Sequence, residues 1–248
     1  MTSGPFPNVS ETARVGALVV DFDGTACSED VVQVLLDEFG DPSWITLNDR
    51  MVEGAIGLRE GTGAQAGLLT GTLEEMLAFA VAQCPLDPTF AGFVAWTETM
   101  RLPMTVVSDG FGSYIQPILQ AAGLGHLRVL TNELVFDPGP KLRYPNGHPE
   151  CAGCGTCKML ATQAARAERA SVAFIGDGPS DRYGALYADI TFAKGDLVDS
   201  CIRDGVPYVA WTDFDDVRRV LEAPGDLPGP VAPLPCPGWI PSLTSRMV

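Results

Sequence analysis

The chain has 248 residues, 46% of them hydrophobic and 19% charged, enough to bury a sizeable core as one large domain or a domain with an insert. Its 31 acidic residues outnumber 16 basic ones for a formal charge of −15, which repels nucleic acid and anionic membrane and argues against a polyanion-binding role. No apolar run approaches the length of a membrane span, and the N-terminal MTSGPFPNVSETARV has neither a basic start nor a hydrophobic signal core, so a soluble cytoplasmic protein is expected.

In chain order, the first element is a strand over Ala17–Val20, read from the β-branched run that ends in DFDGT. Residues 28–100 then carry helical patterns over Asp30–Phe39, Leu73–Ala82 and Phe90–Thr99 without a convincing strand, too long a stretch for an ordinary crossover. They read as a small helical cap inserted after the first strand. Strands follow at Met104–Val107, Leu127–Leu130, Ser171–Ile175 and Val206–Ala210, with helices at Tyr114–Ala122, Lys158–Arg169 and Arg182–Tyr187 between them. Alternation of this kind predicts an α/β fold, a doubly wound Rossmann-like parallel sheet with helices on both faces. The expected organisation is a catalytic core from residues 14–27 and 101–223, a cap from 28–100, and a tail over 224–248 whose seven prolines within 224–241 favour extended chain.

In open α/β sheets ligands bind outside the carboxyl ends of the strands, so the polar residues just after apolar runs are the candidates for function. Asp21 and Asp23 follow GALVV, Ser108 and Asp109 follow MTVV, and Asp177 and Asp181 sit in IGDGPSD after SVAF. Lys158 adds a cation at the start of the helix preceding that last strand. Acids gathered in one cleft are unstable unless a divalent cation sits among them, and Mg²⁺ prefers carboxylate and water oxygens and brings phosphate with it. In D-x-D on a strand end the two side chains point to the same side, so Asp21 and Asp23 can divide attack and proton transfer between them. Lys158, the Ser108 and Thr25 hydroxyls and the backbone N–H groups around Gly24 are placed to meet charge on a phosphoryl group, and Asp109, next to Ser108, is counted among the phosphate-binding positions.

These residues resemble the haloacid dehalogenase-like phosphatases in all four motifs and in their order: DFDGT at 21–25, Ser108 in VVSDG, Lys158, and GDGPSD at 176–181. The resemblance implies that Asp21 is the nucleophile, Asp23 the general acid/base, and Ser108 and Lys158 the phosphate holders. It makes Asp177 a magnesium ligand together with Asp21 and the backbone carbonyl of Asp23, and gives Asp181 a supporting role towards the lysine or a metal-bound water. Aspartate at position 21 sorts with the family's phosphatases rather than its phosphonate and halide enzymes. The helical insert is similar to the cap of the phosphoserine-phosphatase-like branch. Within that branch, WITLNDRMVEGAIGLREGTGAQAGLL and CAGCGTCK are similar to the methionine-salvage phosphatases acting on 2-hydroxy-3-keto-5-methylthiopentenyl-1-phosphate. Asp30 and Gln65 stand where phosphoserine phosphatases carry Glu and Arg, which disfavours phosphoserine, whereas Ser108-Asp109 is similar to the Ser-Asp of phosphoethanolamine/phosphocholine phosphatases. A small phosphorylated metabolite is thus the expected partner. Transfer of the phosphoryl group to a second alcohol is the alternative to hydrolysis, and the oligomeric state is not legible.

Asp30, Gln65 and Arg59 are candidate substrate contacts, each with a plain structural alternative such as helix capping for Asp30. The seven cysteines are odd in number and do not resemble a secreted disulfide framework. His148, Cys151, Cys154 and Cys157, spaced H-x2-C-x2-C-x2-C, are either four zinc ligands or a loop of reduced thiols that positions Lys158. Cys27, Cys84 and Cys201 read as small core residues.

Overall fold

The computed structural model describes residues 15–151, 153–223 and 236. The proline-rich segment expected over 224–248 therefore lies outside the described residues, Cys236 apart. Strand β1 (Ala17–Asp21) is buried at all five positions and leads into a wide turn over 22–26. Five helices follow: α1 (Val31–Phe39), α2 (Trp44–Val52), α3 (Leu58–Ala66), α4 (Leu73–Gln83) and α5 (Phe90–Thr99). Each start has a local cause where the sequence supplies one. Asp30 caps α1 by accepting from the Gln33 N–H at 3.0 Å, and Thr72 with Glu75 forms a reciprocal capping box on α4.

The chain then returns to the sheet with β2 (Met104–Val107), α6 (Ile115–Ala121) and β3 (Arg128–Leu130). A hairpin, β4 (Glu133–Phe136) with β5 (Pro140–Arg143), precedes α7 (Lys158–Arg169), β6 (Val172–Gly176), a 3₁₀ turn at Pro179–Asp181 and α8 (Arg182–Leu186). The described chain closes with β7 (Ile190–Ala193), α9 (Gly195–Asp204), β8 (Val209–Ala210) and α10 (Phe214–Glu222). The main sheet has six parallel strands in the order β3-β2-β1-β6-β7-β8. Strand β1 is central, with Leu18 opposite both Met104 and Ala173.

Successive residues on a strand face opposite sides, and the sheet has two cores accordingly. Leu18, Val20, Val106 and Ile175 pack on one face with Ile115, Phe90, Phe93 and Phe214. Val19, Val107 and Phe174 pack on the other with Ala161, Leu186, Leu197 and Cys201. Full burial of each Val, Leu, Ile or Phe contributes about 1.5–3 kcal/mol, so the strands bearing the candidate acids are the most firmly anchored part of the chain. Cys27, Cys84 and Cys201 are buried in these cores as small residues. Among the described residues no helix is long and apolar enough to cross a membrane.

Strand β7 and the β4–β5 hairpin carried no strand expectation. Ile190–Ala193 is a four-residue run interrupted by Thr191, and it becomes a strand by pairing with β6, where Ile175 lies opposite Phe192. Residues 206–208 of the expected last strand are unpaired, and β8 keeps Val209 and Ala210 alone.

Candidate active site

Because all six strands run the same way, the residues following β1, β2 and β6 emerge at one rim. Asp21, the last residue of β1, is 5% exposed, and its Oδ1 accepts from Lys158 Nζ at 2.6 Å. Lys158 is the first residue of α7 and equally buried; its amine also donates to Asp181 Oδ1 at 2.6 Å and to Ser180 Oγ at 2.9 Å. Asp181 Oδ2 accepts the backbone N–H groups of Asp177 and Gly178, both at 3.0 Å, which folds the GDGPSD turn around the carboxylate. One amine thus bridges the ends of β1 and β6.

Asp177 receives the Thr25 hydroxyl on Oδ1 at 2.6 Å. Carboxylate oxygens of Asp21, Asp177 and Asp181 lie within 4.8 Å of one another. Both oxygens of Asp181 are taken up by Lys158 and backbone N–H groups, whereas Oδ2 of Asp21 and of Asp177 accepts no hydrogen bond from the described residues. Hard oxygen donors with unfilled lone pairs at this spacing fit a cation such as Mg²⁺. Gly24 makes the approach possible: its φ is +73°, and a Cβ there would stand 2.4 Å from Asp177 Oδ2.

Asp23 is held from three sides. Tyr114 donates to Oδ1 at 2.7 Å, the Val31 N–H to the same oxygen at 3.2 Å, and Ser108 to Oδ2 at 2.9 Å. The Gly110 N–H in turn donates to Ser108 Oγ at 3.0 Å.

The neighbouring residue, Asp109, points elsewhere. Its buried Oδ1 accepts from the Thr156 N–H at 2.7 Å and from Asn132 Nδ2 at 3.1 Å, so its carboxylate pins the loop leading into Lys158. Thr156 donates back to Asn132 Oδ1 at 3.2 Å, closing the network.

The charges are strongly perturbed. Burial, then the charge of Asp181, hold Asp21 well above the usual carboxylate range, with Lys158 opposing them. Asp23 is raised to about 7, by burial first and then by the charge of Asp30, while Tyr114 and Ser108 pull it back. Burial and Asp181 likewise raise Asp177. Burial lowers the proton affinity of Lys158, but Asp181 and Asp21 outweigh it and hold its proton more tightly than usual. Burial raises Asp109 to about 6.

Asp21, Asp23, Gly24, Thr25, Ser108, Lys158, Asp177 and Asp181 are thus brought together at one rim. Asp30 stands exposed as the cap of α1, near enough for its charge to be felt at Asp23. Gln65 is buried between α3 and α2, donating to the Trp44 carbonyl at 3.4 Å. Arg59 donates through Nε to the Cys154 carbonyl at 2.8 Å and lies over the Tyr144 ring. His148, Cys151, Cys154 and Cys157 line a cavity beside Lys158.

Sequence reasoning missed Tyr114, Asn132, Ser180 and Lys194. Ser180 lay inside a quoted motif. Lys194, whose amine sits 4.0 Å above the Trp211 ring and interacts with Asp177, follows a strand that was itself missed. Nothing local marks Tyr114 or Asn132.

The sequence model of the haloacid dehalogenase-like hydrolases matches residues 18–185. The bifunctional enzyme MtnB/MtnX of Bacillus licheniformis is 31% identical over 84% of this chain, which spans half the length of that protein. The 2-hydroxy-3-keto-5-methylthiopentenyl-1-phosphate phosphatases of Bacillus velezensis and Geobacillus kaustophilus are 28% and 31% identical, over 86% and 83% of this chain and 93% and 94% of their own. Among solved structures, a phospho-aspartyl intermediate analogue of phosphoserine phosphatase superposes with a TM-score of 0.65 at 15% identity, over 83% of this chain and 98% of that one. At that identity the likeness is one of fold.

Proposed function

The chain belongs to the haloacid dehalogenase-like hydrolases, and from that membership we propose that it is a Mg²⁺-dependent phosphomonoesterase working through an aspartyl-phosphate on Asp21. The observation that supports this best is the Lys158 bridge: one buried amine at 2.6 Å from both Asp21 and Asp181, beside a cluster of carboxylates that fits a divalent cation. Asp21 and Asp177, with the Asp23 carbonyl, are the ligands in this reading, and Asp181 fixes the lysine. When bound, Mg²⁺ neutralises charge on the phosphoryl oxygens.

Asp21 attacks phosphorus, and the bond from phosphorus to the ester oxygen breaks as the new bond to the carboxylate forms. Asp23 gives its proton to the departing oxygen, then takes one from the water that attacks the aspartyl-phosphate; phosphate leaves and Asp21 is restored. A group raised to about 7 is suited to both halves of that exchange. Lys158 and Ser108 hold the phosphoryl oxygens, with the Thr25 hydroxyl and the N–H groups around Gly24 beside them. The carboxylate of Asp109 contributes by fixing the Lys158 loop, since an anion turned towards phosphate would repel it. Helices α1–α5 serve as the cap that closes over the substrate.

The substrate assigned is 2-hydroxy-3-keto-5-methylthiopentenyl-1-phosphate, supported by relatives that carry this name along nearly their whole length. Asp30 and Gln65 in place of Glu and Arg speak against phosphoserine. The test is phosphate release from that enol-phosphate, phosphoserine and phosphoethanolamine, each with Mg²⁺ and with EDTA. Metal-dependent release favouring the enol-phosphate is expected. Preference for another ester overturns the substrate assignment, and a new phosphoester without free phosphate overturns hydrolysis.

A further inference from the structure

Among its described residues the segment between β5 and α7 has no helix or strand, yet it gathers soft metal ligands. Cys151, Cys154 and Cys157 recur at every third position and face one cavity next to Lys158, with His148 at its edge. Cys236, which lies 79 positions beyond Cys157, lines the same cavity. Four thiols from two distant parts of the chain meet there, and all of them are reduced. The Gly153 N–H donates to Cys151 Sγ at 3.2 Å, so one sulfur of the run is held by the backbone of the loop itself.

We propose that Cys151, Cys154, Cys157 and Cys236 form a tetrathiolate site for zinc, separate from the carboxylate site, which ties residue 236 to the loop that carries Lys158. Thiolate sulfur selects zinc over magnesium, and four thiolates complete the tetrahedral shell of a structural site. The sulfurs line the cavity without reaching ligand-to-ligand spacing, which among the described residues the acidic cluster alone reaches. Binding therefore draws the loop inward. The ligand set differs from the His148-Cys151-Cys154-Cys157 run: the fourth ligand is Cys236, and the Nδ1 of His148 is occupied by the Glu150 N–H at 3.1 Å.

The site has a structural reason to exist. The loop is fixed to the core by the Thr156 N–H on Asp109 Oδ1 and by Asn146, whose Nδ2 donates to the Thr131 carbonyl at 2.8 Å. On its outer side it receives α3, through Arg59 Nε on the Cys154 carbonyl and the Arg59 N–H on the Gly153 carbonyl at 3.1 Å. A metal at the cysteines stiffens the stretch between those two supports, and so stiffens Lys158.

The test uses the full chain purified without chelator. About one zinc per chain is expected in excess Mg²⁺, since magnesium competes for the carboxylates and not for thiolates. Replacement by Co²⁺ should give thiolate-to-metal charge-transfer absorption, which a carboxylate site lacks. Cys236→Ser should lose that absorption and most of the zinc, and His148→Ala should keep both. Mass spectrometry after alkylation keeps the test independent of how the variants fold: in the wild-type zinc form the four cysteines are protected together and become reactive together when zinc is stripped. Absence of zinc with four readily alkylated thiols, a disulfide joining Cys236 to the loop, or retention of zinc by Cys236→Ser overturns the proposal. Phosphate release does not enter these readouts, so the site stands or falls apart from the catalytic reading.

Discussion

Replacing Lys158 with Met tests whether one amine holds the ends of β1 and β6 together. The side chain keeps its length and apolar stem but loses the charge that meets Asp21 and Asp181 at 2.6 Å each, with all three residues buried. Breaking a buried pair by deleting one partner costs about 3–5 kcal/mol, because the other charge stays behind uncompensated. For a domain of this size about 1 kcal/mol corresponds to about 2–4 °C, so the variant should melt about 6–20 °C lower. Thermal unfolding in EDTA, which keeps a divalent cation from compensating, is the assay. The deficit should also depend on pH. Lys158 holds its proton more tightly than usual and stays charged from pH 5 to 8, so the dependence belongs to the carboxylates. Asp21 is already raised by burial and by Asp181, and without Lys158 it rises further. A folded state that retains a proton which the unfolded chain releases loses stability as pH rises above the unfolded value near 4. The gap between wild type and variant should thus be widest at pH 8 and narrow towards pH 5. A loss under about 2 °C, or one that widens on acidification, would refute the bridge as a structural clamp.

Asp21→Asn should abolish phosphate release while leaving the melting temperature near or above that of wild type, because it removes a buried charge; near-normal turnover would sink the nucleophile assignment. In Tyr114→Phe, Asp23 loses a 2.7 Å hydrogen bond that favours its ionised form. Such a bond to a charged group is worth about 1.5–3 kcal/mol, or about 1–2 pKa units, so the limb of the kcat/KM profile set by protonated Asp23 should move up by about that much. Superposable profiles would remove Tyr114 from the proton-transfer step. Gly24→Ala places a methyl group 2.4 Å from Asp177 Oδ2 at a residue with φ of +73°, and titration with Mg²⁺ should show affinity weakened by about tenfold or more; unchanged affinity would separate Asp177 from the metal.

How much of this was legible depends on how local each cause is. Strands β1, β2 and β6 are apolar runs ending in acids, and their function lies in the residue types themselves, so the rim could be assembled from Asp21, Ser108 and Asp177 before any topology was known. Helices α5 and α7 begin and end where periodicity puts them, at Phe90–Thr99 and Lys158–Arg169. What escaped has non-local causes. Tyr114 matters because the turn between β2 and α6 brings its hydroxyl to Asp23, 91 positions away in sequence. Asn132 matters because two distant segments converge on its amide: it bonds the carbonyls of Asp109 and Gly110 and the hydroxyl of Thr156. Asp109 was misleading for the same reason. In the sequence it is a polar residue beside a motif serine, and only the fold shows its carboxylate turned towards the lysine loop.

On the proposed reading, the charge balance of the rim makes metal and substrate depend on each other. Four carboxylates, Asp21, Asp23, Asp177 and Asp181, face two amines, Lys158 and the half-buried Lys194. Burial is the leading cause of the raised affinity of Asp21, Asp23 and Asp177 for protons, with neighbouring carboxylates second in each case. A phosphate ester brings two more negative charges into that field, and at about 4 Å each unit pair is worth about 4 kcal/mol at an effective dielectric of about 20. Protonating the acids would relieve the repulsion, but it would disable Asp21 in the nucleophilic role proposed for it. A divalent cation relieves it while leaving Asp21 ionised. Since each of the two ligands lowers the electrostatic cost of the other, reciprocity requires that magnesium tighten the ester by the same factor by which the ester tightens magnesium. Lys158 does not replace the ion in this respect, because its single positive charge is already set against the charges of Asp21 and Asp181.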